Sequence, residues 1–266
     1  MSRPDAYDAI LARDGAARLK SGAVLAVMLL GVVVALWVTG LLDAKRFADA
    51  WPAVVQLSRE MFPPDFGRWQ AWLRPLLDTL AMSIAGTALA VTLSLPLALL
   101  AAHNTCPNAV VYRTARLFLN LLRSVPELIM GIIFVAMVGF GALPGVLALG
   151  LHSVGMVGKF FSESIEHVDA KPIEARAAGA TPFQVIWHAV LPQVMPQLAD
   201  TTIYRWEYNF RASTVLGAVG AGGIGFELIA ALRILEYAQV SAILLCILVC
   251  VTIVDGIGAV LRKALK

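Results

Sequence analysis

The chain has 266 residues, of which 59% are hydrophobic and only 15% charged. Soluble domains carry about 25% charged residues, so the composition excludes a large soluble domain and reads as an all-α integral membrane protein, long enough for roughly five to seven helical spans. A formal net charge of +3 gives no basis for a nucleic-acid partner, and Cys106, Cys246 and Cys250 show no metal or redox spacing.

Residues 1–20 are polar and carry Arg3, Arg13, Arg18 and Lys20 ahead of the apolar run 21–42. Their charge places the N-terminus in the cytoplasm by the positive-inside rule. The run is too long for a signal-peptide core, and no small-residue cleavage site follows it, so it is expected to remain as a first span. Residues 43–77 are mixed, with Trp51, Trp69 and Trp72 among several arginines, and suit an interfacial amphipathic helix on the far side.

Residues 79–102 are expected as span two, 117–139 as span three, 144–166 as span four, 196–219 as span five and 238–261 as span six. The stretch 169–192 becomes a cytoplasmic loop, and 220–237 lies outside. Arg262, Lys263 and Lys266 end the chain on the cytoplasmic side. About six spans with both ends inside form a self-consistent topology.

Two of these spans hold charge where charge is expensive. Arg123 and Glu127 flank Ser124-Val125-Pro126 early in span three. They are four apart, so they are expected on one helix face, either as a structural ion pair or as part of a gate. Pro126 should loosen the backbone there. Span five holds Asp200, Arg205, Glu207 and Arg211, with Glu207 and Arg211 again four apart. Such groups face a bundle interior or an aqueous cavity. Two arginines suit a tetrahedral oxyanion, because guanidinium binds phosphate-like oxygens in a bidentate manner. His152, Lys159, Glu163 and Glu166 extend along span four, where pairing or snorkelling is the simpler reading.

The glycines Gly217, Gly220, Gly222, Gly223 and Gly225 fall within nine residues, more than helix packing needs. They point to a non-helical or re-entrant segment, allowed where it is buried or lines water, with backbone N–H groups free to help hold an anion.

The loop has its own local signals. Glu174 to Ala178 reads as a short helix, with Gly179 at the position just past its end. Thr181-Pro182-Phe183-Gln184 reads as a capping box with proline at the first helical position. A second short helix should run to Val190 and stop before Pro192. Its apolar face (Phe183, Ile186, Trp187, Val190) suits a groove in a partner. No Walker A motif stands anywhere in the chain; around Lys159 the upstream glycine and the following Ser/Thr are missing.

Three blocks in order now form a resemblance. They are RSVPEL (123–128), the loop 174–192 continued by Gln193 and Pro196, and YRWEYNFRASTVLGAVGAGGIGFEL (204–228). Together they look like the permease subunit of phosphonate ABC importers, whose close relatives import phosphite or hypophosphite, and the resemblance covers about residues 75–262. It implies a type I ABC importer (MetI-like) permease fold in a bacterial inner membrane. Residues 1–74 then form an N-terminal tail, a first span and a periplasmic segment, and 75–262 the transmembrane domain.

The resemblance further implies a homodimer of permeases surrounded by lipid, two cytoplasmic ATPase subunits and a periplasmic binding protein. This chain would hold no cofactor, with ATP and Mg on the ATPase. The loop 169–192 becomes the ATPase-coupling element, through Glu174, Ala175, Gly179, Phe183, Ile186, Trp187, Leu191 and Pro192. Glu174 stands five residues before Gly179 where the family usually has six, so the first helix is a residue short or rotated. The substrate path falls to Arg123, Ser124, Glu127, Arg205, Glu207, Asn209, Arg211 and Ser213, with the five glycines at a gate. The alternatives are a permease for methionine or another amino acid, which would need less positive charge, and a secondary transporter, which would need an inverted repeat that the sequence lacks.

Overall fold

The computed structural model describes residues 3–168, 174 and 178–265. These divide into two compact units, Met1–Glu60 and Met61–Lys266. The first holds α1 (Arg3–Val38) and α2 (Ala44–Glu60). Within α1, Lys20–Val38 is long and apolar enough to cross a membrane. Helix α2 is amphipathic, with Phe47, Trp51 and Val54 on one stripe.

The second unit holds α3 (Trp69–Ala101), α4 (Ala109–Ser124), α5 (Glu127–Val138), α6 (Ala142–Glu166) and a short α7 (Pro182–Val185). A π-turn (Ile186–Val190) leads into α8 (Leu191–Leu216), followed by a 3-10 turn (Gly217–Val219), α9 (Ile224–Arg233) and α10 (Tyr237–Ala264). Helices α3, α6 and α10 are also long enough to span. Counting each bent pair as one span brings the total, with α1, to 6.

Span two therefore begins ten residues or so before the expected start at 79, because Pro75 does not end α3. The expected domain boundary at 74/75 falls inside that helix. Span three is a larger correction. It is two helices, α4 and α5, bent by 84°. Val125, the residue before Pro126, takes extended dihedrals (φ −85, ψ 120), and Pro126 has no N–H to continue the ladder.

Helix α6 is the centre of the unit and packs against α3, α4, α5 and α8. Its glycines permit this. A Cβ at Gly155 would sit 2.7 Å from both the Leu119 oxygen and the Arg123 nitrogen, so α4 crosses α6 backbone to backbone. One apolar cluster joins Ala98, Phe161, Ile165 and Val190, and another joins Met82, Met130, Leu149 and Leu216. A third sets Trp72 against Ile224 and Ile243, tying α3 to α9 and α10.

Candidate functional site

Helix α8 crosses the unit with charged residues on two faces. On the face toward α10, Glu207 pairs with Arg262 (2.7 Å) and Arg211 with Asp255 (2.7 Å). Glu207 and Arg211, four apart on α8, thus each face an opposite charge on α10 rather than each other. The Glu207 carboxylate lies directly against Gly258, where any Cβ would collide with it.

The face toward α5 and α6 is built differently. Arg205 is 4% exposed. Its Nε donates to Ser153 Oγ (2.8 Å), and its guanidinium stacks on the Tyr208 ring, 4.2 Å from the centroid. The Tyr208 hydroxyl donates to Glu127 Oε1 (3.1 Å). His152 Nε2 lies 4.0 Å from Glu127 Oε2, while its Nδ1 is held 3.0 Å from the Val125 carbonyl at the α4–α5 break. Arg205 Nη2 and Glu127 Oε2 are buried and have no hydrogen-bond partner; the same holds for Asn104 Oδ1 and for Glu207 Oε1, although Glu207 Oε1 has the Arg262 charge at 2.7 Å. A buried charged group left short of partners costs several kcal/mol in general, so the complementary open atoms of Arg205 and Glu127 are a candidate site.

Around this cluster the polar groups are satisfied. Ser153 Oγ donates to Asn209 Oδ1 (3.0 Å), and Asn209 Nδ2 donates to Thr87 Oγ1 (2.9 Å). Ser213 Oγ donates to the Phe210 carbonyl at 2.7 Å and reaches the Thr79 carbonyl of α3 at 3.4 Å. Asn209 and Ser213 thus hold α8 to its neighbours, and both are fully buried.

The break at Val125–Pro126 separates Arg123 from Glu127, so they do not share a helix face. Arg123 and Ser124 are exposed at the end of α4, and Glu127 opens α5 in the cluster. Arg211, paired and half-exposed, does not join Arg205. Tyr208, His152 and Ser153 complete the site, yet sequence reasoning passed over Tyr208 and Ser153. The three-residue spacing of Arg205 and Tyr208, which puts them on one helical face, was a usable signal.

In the loop, the Ala178 N–H donates to the Glu174 carbonyl (3.0 Å), and Gly179 follows with φ +89. That left-handed φ is strained for any residue with a Cβ. Ala175 lies outside the described residues. Thr181 and Gln184 form the capping box, with Pro182 in the first turn. The helix does not stop before Pro192. The Leu191 N–H bonds to the Ile186 carbonyl, a π-type step that admits Pro192 into the first turn of α8.

The outward face is narrower than expected. Phe183 and Trp187 are 73% and 56% exposed and stack with centroids 6.3 Å apart. Ile186 and Leu191 are half-buried and Pro192 is exposed, but Val190 is 1% exposed and packs inward with Phe161. The π-turn shifts its register relative to a plain helix.

The glycine segment interrupts the helix between α8 and α9, which are bent by 42°. Gly220, Gly222 and Gly223 take φ of 95, 75 and 73°. A Cβ at Gly225 would enter the Thr214 carbonyl oxygen, so Gly217 and Gly225 mark a backbone-to-backbone crossing. The segment's N–H groups are largely engaged: Gly220 donates to Gly217 O, Ala221 to Leu216 O and Ile224 to Thr79 Oγ1. Within 220–237, expected to lie outside, Ile224–Arg233 form α9.

Residues 94–266 match the family described as "Binding-protein-dependent transport system inner membrane component". The "Phosphite transport system permease protein PtxC" of Stutzerimonas stutzeri is 66% identical over 236 residues, 88% of this chain and 86% of that protein. The "Phosphate-import permease protein PhnE" of Mycolicibacterium smegmatis is 42% identical over 82% of this chain and 41% of its own length. Among solved structures, an inward-facing MetNI methionine ABC transporter superimposes with TM-score 0.66 at 23% identity, over 76% of this chain and 99% of that one.

Proposed function

The chain belongs to the family of inner-membrane components of binding-protein-dependent transport systems, and we propose that the cargo it carries is a phosphonate-type oxyanion: phosphonate, phosphite or hypophosphite. It is a permease subunit of an ATP-driven importer, not an enzyme, and it works with ATPase and binding-protein partners. The observation that carries the cargo reading is the 66% identity, over 88% of the chain, to a permease named for phosphite transport. The charge on α8 supports it, because Arg205 keeps a buried guanidinium donor open.

In this reading two copies pair in a bacterial inner membrane with both termini cytoplasmic, lipid surrounds them, and each coupling segment docks on one ATPase. ATP and Mg bind there and not on this chain. The exposed Phe183–Trp187 stack enters a groove of the ATPase, and Gly179 sets the turn that presents it. Trp187 is joined to Arg205 through the π-turn and α8, at about 1.5 Å of rise per residue. Closure of the ATPases thus moves the helix that carries the cargo contact, and the spans rock between inward- and outward-facing states.

The test is uptake of phosphite into proteoliposomes holding the permease, its ATPase and its binding protein. The reading expects ATP-dependent accumulation of phosphite or a phosphonate and none of methionine. Accumulation of methionine alone would overturn it.

A further inference from the structure

The two unpartnered atoms in the α5–α6–α8 cluster are complementary. Arg205 Nη2 is a donor without an acceptor, and Glu127 Oε2 is an acceptor without a donor. Tyr208 links them, with its ring under the guanidinium and its hydroxyl on the other oxygen of Glu127. Phosphite and phosphonate offer a match only in one protonation state, and hypophosphite, whose anion has no P–OH, offers none. The monobasic form presents an oxygen that accepts from Arg205 and a P–OH that donates to Glu127. The dibasic form has no proton to give and meets the carboxylate as a like charge.

We propose that this cluster is a transit site for the monobasic form of the cargo, with Arg205 Nη2 holding an anionic oxygen and Glu127 Oε2 accepting the P–OH. The inference rests on the oxyanion reading above. Both open atoms are covered in this structure, so it represents the closed form of the site. The 84° break at Val125–Pro126, beside Glu127, is the joint at which α5 parts from α8 to admit the anion. The charged and titratable groups around the site are Glu127 on α5, His152 on α6, and Arg205, Tyr204 and Tyr208 on α8. Of these residue types only histidine ordinarily titrates in the cargo's range, so His152 is the group to control for.

The test compares initial rates of phosphite uptake, at sub-saturating binding protein, for the wild-type transporter and Glu127→Gln. Rates are taken from about pH 6 to about pH 8, above the second ionisation of a phosphate-type group near pH 6. Both proteins use the same binding protein, so the ratio of variant to wild type isolates the permease. Glutamine still accepts the P–OH and also donates to the dianion, so the ratio is expected to rise by about tenfold or more across this range. Glu127→Asp, which keeps the carboxylate, is expected to hold a flat ratio. In a His152→Gln background the rise persists if the cargo's own proton is the source.

A flat ratio for Glu127→Gln, or a rise that vanishes with His152→Gln, overturns the proposal while leaving the cargo reading intact. Failure of the wild type to accumulate phosphite or any phosphonate overturns the cargo reading itself.

Discussion

The two faces of α8 differ in how far their charges are completed. Toward α10, Glu207 and Arg211 each meet an opposite charge at 2.7 Å. Toward α5 and α6, Arg205 is more deeply buried than Arg211 yet keeps a guanidinium nitrogen open, and Glu127 keeps a carboxylate oxygen open. Completed pairs of this kind fix one helix against another. An incomplete pair in a low-dielectric interior is a standing cost that packing alone would remove by substituting apolar residues. The face that bears the cost is therefore the one assigned to the cargo.

This contrast is open to a graded set of substitutions. Arg262→Ala leaves the buried Glu207 carboxylate, packed against Gly258, without its partner. Breaking a buried pair costs about 3–5 kcal/mol, so the purified permease should melt well below the wild type, with uptake falling in step with folded protein. Arg205→Ala should lower uptake per folded permease about 10- to 100-fold, the loss of a charge-assisted hydrogen bond of about 1.5–3 kcal/mol, over and above any melting change from the lost Ser153 bond and Tyr208 stacking. Tyr208→Phe removes one hydroxyl, which is worth about 0.5–1.5 kcal/mol, and should lower uptake by less than about tenfold. Arg211→Ala breaks a pair whose side chains are 43% and 46% exposed, so it should shift stability by less than about 1 kcal/mol and leave uptake within a few-fold of wild type. If Arg211→Ala proves as damaging to uptake as Arg205→Ala, the distinction between the faces is lost.

The coupling segment offers a separate check on the lever that α8 forms. Trp187→Ala removes half of an exposed aromatic stack and touches nothing in the cluster. Substrate-stimulated ATP hydrolysis should fall several-fold with the permease still folded. Gly179→Val, at φ +89, should act in the same direction through the turn.

Much of this architecture can be read from the residues. The long apolar runs revealed that spans exist, because the bilayer sets their length, but not their ends: α3 starts at Trp69 rather than 79 and α4 at Ala109 rather than 117. The capping box at Thr181–Gln184 and the left-handed Gly179 were legible because they are local chemistry. The partners of the α8 charges were hidden for the opposite reason. Spacing of four along one helix is visible in sequence, but Asp255 and Arg262 are distant in the chain and win by tertiary packing. Pro126 signalled a loosened helix, and only its packing against α6 decided that the bend would be 84°. Pro192 misled because a proline tolerated in the first turn of a helix looks, in sequence, like one that ends the helix before it.

The central claim is that one face of α8 meets the cargo and the other holds the fold. Phosphite uptake by the reconstituted importer, measured side by side for Arg205→Ala and Arg211→Ala and normalised to folded permease, tests it most directly. The account predicts a loss of about 10- to 100-fold for the first and near wild-type rates for the second. Equal rates for the two variants would contradict it.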